Sequence, residues 1–550
     1  MTADATATEA ASGDRLALAV HVATLVVGFV LSLVVGGQQW FRADEWTILT
    51  DRSAGDALRP HNEHWFAFPI LVLRGLFATV GLDNYLPYVL PTVALHVVTA
   101  HLVWRIIRRG GGDPWVATVA AAVLLTLGAG FENVTLAVQV AFTAPLALGL
   151  GHVLLVDHPG PVGRRDALGA VVGTVAVAWS GIGPVMVAAA ALTAALRRGW
   201  WAAAVAAGPP AVVYAAWWLA VGRGAVGTLP PLEAVATFVA AGLTHAAGET
   251  LHIGRWGAVA LVALVGWLVW RWRLARGPAA AVFACAAAAV VALLAGGVLR
   301  ADDDPGLARS SRYVAVAATL LLPAAGWALG RPAVRSPPVR VAVVAAGVVV
   351  VGLGARDLLA VASARAADVQ QFRRTLLAAV DIARGPGPVL VDVHASFVTP
   401  GLTLAEAVDL RERGVLPDAP VTPADRVAAR GLLGVTATRT PAVEGPAATV
   451  VALAHADVER HGDCVALTPR SEPAQVALDV ADDTALRVHA SAGGTLVVVP
   501  VVDGTASPRP VRLTLPPDAP RWLNLALGRA GVTLTLPPAG TTRLCGVAAS

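Results

Sequence analysis

Residues Leu16–Gln38 contain no charged side chain and are long enough to cross a bilayer, which takes about 20 apolar residues. Ten further apolar stretches follow, near 86–104, 114–130, 137–156, 167–180, 182–196, 202–221, 256–270, 278–299, 313–329 and 340–360. In hydrocarbon every backbone polar group needs an internal partner, so a chain written this way folds as a helical membrane protein. The first stretch is too long for a cleaved signal peptide, and too many spans follow it. Composition agrees: 56% of the 550 residues are hydrophobic and 14% charged, against about 45–50% and about 25% in soluble domains. The 167–196 pair is short and broken at Ser180-Gly181-Ile182-Gly183-Pro184, which reads as two tight helices or a kinked, re-entrant element.

The net charge of +4 does not point to nucleic acid. No lysine occurs, and the arginines gather in short clusters between apolar stretches. The segment Phe66–Leu82 is apolar but holds Arg74. If it stays at one surface and the N-terminus is cytoplasmic, the clusters at Arg105/Arg108/Arg109, Arg164/Arg165, Arg197/Arg198, Arg271/Arg273/Arg276 and Arg331/Arg335/Arg340 all face the cytoplasm. If it crosses, they all face out, against the positive-inside rule. The sequence therefore predicts an interfacial helix here and eleven spans, N-terminus in and C-terminus out.

The composition changes after the last span. The predicted domains are a membrane body over 1–361 with outer interfacial helices at about 44–82, a connector helix over 362–385 and a β-rich, sandwich-like extracytoplasmic domain over 386–550. In that last domain short runs at Val389–Val393, Ala448–Leu453, Gln475–Val480, Leu486–His489, Thr495–Val502, Val511–Leu515 and Val532–Leu536 read as strands, and 403–435 as helical or irregular. Cys464 and Cys545 are either a disulfide across the β core or two buried thiols. Cys285, within a span, reads as packing. The absence of any CxxC removes support for a zinc or thioredoxin-type site.

Three polar groups fall on the predicted outer face. The first is Gln39-Trp40-Phe41-Arg42-Ala43-Asp44-Glu45, two adjacent carboxylates just past the first span. The second is Arg59-Pro60-His61-Asn62-Glu63-His64-Trp65, a polar patch leading into the interfacial helix. Its two histidines, separated by two residues, suit one helix face. The third is Phe131-Glu132-Asn133 in the turn between the third and fourth spans, with Gln139 two helical turns on. Each group alone reads as a solvated loop end or an interfacial anchor. Together they make a cluster of carboxylates, His, Asn and Trp at one membrane face, a candidate active site.

The order of span, outer acidic pair, interfacial helix with a His-containing start, basic inner turn and second outer acid resembles the GT-C superfamily of membrane glycosyltransferases. Its members include protein O-mannosyltransferases, aminoarabinose transferases and actinobacterial arabinofuranosyl- and mannosyltransferases. The likeness covers residue 16 to about 160; later spans match only as a hydropathy pattern. The family often has Pro after the His, where this chain has Asn62-Glu63, which puts the role of His61 in question.

The resemblance implies an inverting sugar transfer from a polyprenyl-phosphate-linked donor to a cell-envelope acceptor (glycan, lipid or protein) in a bacterial plasma membrane. Asp44 takes the place of the general base, with Glu45 as the alternative, and Glu132 that of the second acid. Glu132 would bind acceptor or, with Asp44 and His64, a divalent metal such as Mg or Mn. Arginine suits the phosphate because its fork is bidentate. Arg42, Arg59, Arg255, Arg309 and Arg312 lie on that face, and Arg312-Tyr313 opens a span at headgroup depth. Trp256 and loop 222–255 are placed to cover the donor, with Leu232–Leu243 along the surface. Asp302-Asp303-Asp304 reads as a solvated loop. Two other readings compete: a flippase for lipid-linked sugar, which needs ionisable residues along a path through the membrane, and a non-catalytic envelope scaffold, which needs no acidic pair.

Overall fold

The computed structural model describes residues 2–223, 229–301, 304–384, 401–418, 420–438, 447–480, 484–527 and 529–549. The chain divides into two compact units, Met1–Ala367 and Asp368–Ser550.

The first unit is helical. In chain order its helices are α1 (Thr2–Gly37), α2 (Asp44–Thr50), α3 (Ala67–Val80), α4 (Leu86–Arg109), α5 (Pro114–Leu125), α6 (Glu132–Thr135), α7 (Val140–Val156), α8 (Arg164–Ala176), α9 (Ile182–Arg198), α10 (Trp200–Trp217), α11 (Leu232–Leu251), α12 (Gly257–Trp270), α13 (Ala280–Arg300), α14 (Ser311–Arg335) and α15 (Pro337–Ala383). Seven of the spans, built on α1, α4, α7, α10, α13, α14 and α15, are individually long and apolar enough to cross a membrane. The pair α11 and α12 reaches that length and apolarity only together and is bent by 118° at its break.

Side-chain contacts sort the helix ends into two groups. At one end Arg108 of α4 lies 3.8 Å from Asp14 of α1. Arg109 and Arg197 both pair with Asp157, just past α7, at 2.5 and 2.8 Å. Arg198 pairs with Asp166 of α8, and α10 starts two residues later. Trp327 of α14 donates to the Gly110 carbonyl at 2.8 Å. Phe283 of α13 packs edge-on against Trp327 and against Trp272, just past α12. Asp113 caps α5 by accepting from the Trp115 and Val116 amides, and sits 4.0 Å from Arg340 of α15.

At the opposite end the chain joins Gln39, Tyr85, Gly128, Ala137, Ala178, Gly181, Trp217, His252, Arg300, Ser311 and Asp357. Gln39 donates to Ala362 at 3.0 Å, Tyr85 bonds Ala137, Ser311 bonds Glu132, Gly128 lies against Asp357, and Asp357 is 3.6 Å from His252. Eleven helices among the described residues thus run between the two ends: α1, α4, α5, α7–α10 and α12–α15. These are the eleven expected from the sequence, although α5 and α8 have only 12 and 13 residues.

The segment Phe66–Leu82 stays at one end. At its start the Phe68 amide donates to Ala178; at its finish Trp40 and Tyr88 donate to Leu82 and Gly81. Helix α11 stays there too, with Phe238 edge-on against Tyr313 and His252 beside Asp357. The 114–130 span stops at Leu125, where a short 3₁₀ turn over Gly128–Gly130 follows. The last expected span and its connector helix are parts of one unbroken 47-residue helix, α15.

In the second unit the tail of α15 is followed by α16 (Leu404–Glu412) and α17 (Pro423–Gly434), each opened by a reciprocal capping pair, Thr403/Glu406 and Thr422/Asp425. Then come β1 (Val435–Thr438), β2 (Ala448–Ala454), β3 (Ala456–His461), β4 (Cys464–Pro469), β5 (Gln475–Val480), β6 (Thr484–Ala490), β7 (Gly494–Val502), β8 (Thr505–Ala506), β9 (Val511–Leu515), β10 (Arg521–Leu525), β11 (Ala530–Thr535), β12 (Thr542–Cys545) and β13 (Val547–Ala549). They form two sheets, β1-β10-β6-β12-β4-β3 and β13-β2-β5-β11-β7-β8, with β9 also on β7. Alternate residues of both sheets, such as Leu467, Leu486 and Leu544 against Val476, Leu478 and Leu534, share one core.

The unit is a β-sandwich, as expected. The expected strand at Val389–Val393 lies outside the described residues, as do Asp302 and Asp303. Cys464 and Cys545 are disulfide-bonded, but not across the core: they face each other on neighbouring strands β4 and β12 of one sheet, with Cα atoms 3.9 Å apart. Cys285 is a buried free thiol in α13.

Candidate functional site

The loop after α1 is anchored by aromatic burial. Trp40, Phe41 and Trp46 are fully buried and pack edge-to-face on one another, and Phe41 also meets Tyr85 and Tyr88 at 5.0 and 4.7 Å. Asp44 and Glu45 open α2 immediately after Ala43, whose φ of 50° is a left-handed backbone that alanine rarely adopts. Such strain persists only where surrounding packing fixes it, and it often accompanies function.

The two carboxylates have opposite surroundings. Glu45 is buried and its oxygens accept from the Arg42 amide at 3.0 Å, the Tyr85 hydroxyl at 2.7 Å and the Val138 amide at 3.1 Å. Burial pushes its pKa up to about 7, against the downward pull of those donors and of Arg42. It therefore ties the first loop to the start of α4 and to the turn before α7. The Asp44 side chain is half-buried, and among the described residues its carboxylate has no hydrogen-bond or ion-pair partner. Its charge acts on His61, whose pKa burial lowers and Asp44 partly restores.

His61 and His64 do not share a helix face. Their backbones exchange hydrogen bonds at 3.1 and 3.2 Å, so His61–His64 is a tight turn. Asn62 takes the φ of 53° that the turn requires, a conformation Asn tolerates. This turn aims Glu63 and His64 together. Glu63 accepts from Arg300 at 2.6 Å. His64 lies against Gly181, where an added Cβ would come 3.0 Å from the imidazole. That close approach explains a glycine in the α8–α9 break. Burial, then the charges of Arg300, His61 and Arg312, hold the His64 pKa down to about 4, so it is neutral at pH 7.

A cavity of about 360 Å³ opens beside this turn. Glu63, His64, Arg300, Tyr214 and Tyr313 supply its polar part, and Ile182, Val185, Val291, Ala295 and Leu299 of α9 and α13 its apolar walls. Gly296 gives Tyr313 room, since a Cβ there would lie 2.7 Å from the ring.

Of the residues expected at the site, Glu63, His64 and Tyr313 line this cavity. Arg312 is near enough to act on His64. Glu132 sits next to it in the fold, its amide within 3.1 Å of the Ser311 hydroxyl. Asp44 adjoins the turn through His61. Trp65 stacks on Trp217 at 5.4 Å beside it. Arg42 and Gln139 are buried near Glu45, and Arg42 Nη2, Gln139 Oε1, Asn133 Oδ1, His61 Nε2 and Trp65 Nε1 find no hydrogen-bond partner among the described residues. Buried polar atoms left this way are expected to meet water or a ligand.

Arg59 is exposed and 3.9 Å from Asp56, and Arg255 lies over Trp256; neither lines the cavity. Asp44, Glu132 and His64 do not form a metal-ligand set: among the described residues no group of three or more His, Cys, Asp or Glu is arranged to hold a metal ion. Sequence reasoning missed Arg300, Tyr214 and Trp218. Arg300 carries the signal an interfacial arginine always carries, a cation at the end of an apolar run, and nothing in the sequence pairs it with Glu63.

No protein-family model matches the chain, and no curated protein matches it. Among solved structures the chain is similar to the crystal structure of ArnT from Cupriavidus metallidurans bound to undecaprenyl phosphate, with 15% identity, 70% of this chain and 84% of that chain covered, and a TM-score of 0.45.

Proposed function

We propose that this chain is a membrane glycosyltransferase of the GT-C kind, moving a sugar from a polyprenyl-phosphate donor to an acceptor hydroxyl at the Asp44 end of its helical body. One observation carries the reading: a cavity with apolar walls from two long helices ends in Arg300, with Arg312 close by. A lipid phosphate has the same division, a hydrocarbon chain that belongs among α9 and α13 and an anionic head that belongs on guanidinium groups.

In the proposed reaction Asp44 accepts the proton of the acceptor hydroxyl as its oxygen attacks the anomeric carbon. The bond from that carbon to the phosphate oxygen breaks with inversion, and the polyprenyl phosphate leaves with the bonding electron pair. Glu132 is the second carboxylate, binding the acceptor and favouring positive charge on the sugar ring. Arg300 and Arg312 meet the charge that grows on the phosphate. Neutral His64 and the Tyr313 hydroxyl are hydrogen-bonding groups for the sugar or phosphate. Glu45 is already occupied by three donors and supports the loop rather than the proton transfer.

The arginine-rich end is the cytoplasmic one in this reading. The Cys464–Cys545 disulfide supports an oxidising, extracytoplasmic setting for the second unit.

The test is to incubate the purified protein with a panel of polyprenyl-phosphate sugars and envelope acceptors and to read products by mass. The expected result is acceptor extended by one glycosyl unit, with release of polyprenyl phosphate, and loss of both in Asp44→Asn. Equal product from Asp44→Asn, or movement of lipid-linked sugar across the bilayer without a new glycosidic bond, would overturn the assignment.

A further inference from the structure

A second cavity, of about 430 Å³, lies between the bent pair α11/α12 and α14. Its walls are apolar, chiefly Leu251, Leu261, Leu264, Leu321, Leu322 and Leu329. Its outer wall, α12, is peripheral: Val259, Val262, Val265 and Val269 are 52–72% exposed. In a membrane that face is covered by hydrocarbon, so a lipid chain can reach the cavity from the side and a water-soluble ligand cannot.

The cavity has a charged foot. Trp267 lines it near the arginine-rich end, and the Arg271 guanidinium lies over both Trp267 and Trp270, at 4.9 and 3.9 Å from the ring centroids. The rings hold this cation beside the cavity wall. Arg273 and Arg276 follow two and five positions on, and the described residues give none of the three an ion-pair partner. Trp267 Nε1 and Arg271 Nε are buried without a hydrogen-bond acceptor. At the other end Thr250, only 6% exposed, lines the cavity with its hydroxyl unpartnered.

A cation with no ion-pair partner among the described residues, a donor from an indole and an apolar slot thus occur together. A zwitterionic headgroup does not complement that charge, whereas a net-negative one does. Basic pockets between spanning helices on the cytoplasmic side suit such headgroups.

We infer that the α11/α12–α14 cavity is a binding site for an anionic phospholipid, with one acyl chain in the slot and the phosphate on Arg271. The bound lipid fastens the otherwise lightly packed α12 to α14. Arg271, the phosphate position, stands at the opposite end of the body from Asp44, and the assignment does not depend on the sugar-transfer reading.

The experiment is native mass spectrometry of the full chain released from detergent after equilibration with dioleoyl phosphatidylglycerol or dioleoyl phosphatidylcholine. The expected result is a one-lipid adduct favoured for phosphatidylglycerol by about fivefold for each arginine engaged. Arg271→Gln lowers that preference about fivefold without lowering the lipid-free melting temperature. Ala325→Phe, which fills the slot from α14, lowers retention of both lipids, and it keeps the test open if Arg271→Gln folds poorly. Equal retention of the two lipids by the wild-type protein would overturn the assignment. So would an Arg271→Gln preference unchanged from wild type, or displacement of the phospholipid by a polyprenyl phosphate at equal concentration.

Discussion

Glu63 and Arg300, 237 positions apart in the chain, meet in a 2.6 Å ion pair at the mouth of the cavity between α9 and α13. The pair joins a loop turn to the last residue of a spanning helix. Both partners line that cavity.

If that guanidinium receives the donor phosphate, the two partners differ in importance. Arg300→Ala removes a charge-assisted contact of about 1.5–3 kcal/mol, so the donor KM rises about tenfold to a hundredfold. Glu63→Gln leaves the cation in place and raises KM by no more than a few fold. Steady-state kinetics with varied donor check the order of the two variants.

Asp44→Asn removes the proposed base and keeps the shape. The turnover number falls by about 10²–10⁴ while the donor KM changes little. Glu132→Gln lowers turnover as well, and the melting temperature of both variants stays near that of wild type because neither carboxylate is buried.

Glu45 makes a different prediction, about stability and pH. Its pKa is raised from 4.5 to about 7, foremost by burial. Between those two values the folded protein holds a proton that the unfolded chain has released. The contribution to stability is therefore fully present below about pH 4.5 and is lost as pH rises through about 7. Melting temperature is expected to decline across that window in the wild type, and that component of the decline is absent in Glu45→Gln. A pH series of thermal melts on both proteins checks it.

The Cys464–Cys545 bond closes a loop of 81 residues in the second unit. Loss of a native disulfide in a small domain costs about 2–5 kcal/mol. Cys464→Ser combined with Cys545→Ser lowers the unfolding midpoint of the second unit, and the helical body keeps its own. Peptide mapping with and without reductant is expected to find the linked pair in protein isolated from cells. Two alkylatable thiols in that material would contradict the extracytoplasmic setting.

The helical plan was legible because hydrocarbon leaves little choice: each run of apolar residues had to become a helix, and the arginine clusters fixed which ends share a side. The surface position of Phe66–Leu82 came from the same rule, and the bonds of its two ends agree with it. The turn at His61–His64 was not legible as such. A spacing of three fits a helix face as well as a hairpin turn, and only tertiary packing against Gly181 selects the turn. Asp44 and Glu45 looked interchangeable in sequence. Their difference arises from Tyr85 and Val138, partners 40 and 93 positions away. Arg300 was hidden for the same reason, since its partner Glu63 lies in a loop far upstream. The disulfide was readable as an option, but not its place within one sheet, which depends on the register of β4 with β12.

The most direct measurement is a cryo-electron microscopy structure of the protein with a polyprenyl phosphate. The account predicts the phosphate within hydrogen-bonding distance of Arg300, the chain running between α9 and α13, and the Asp44 carboxylate facing the same space. A phosphate bound elsewhere, or an Asp44 side chain turned away from it, would contradict the account.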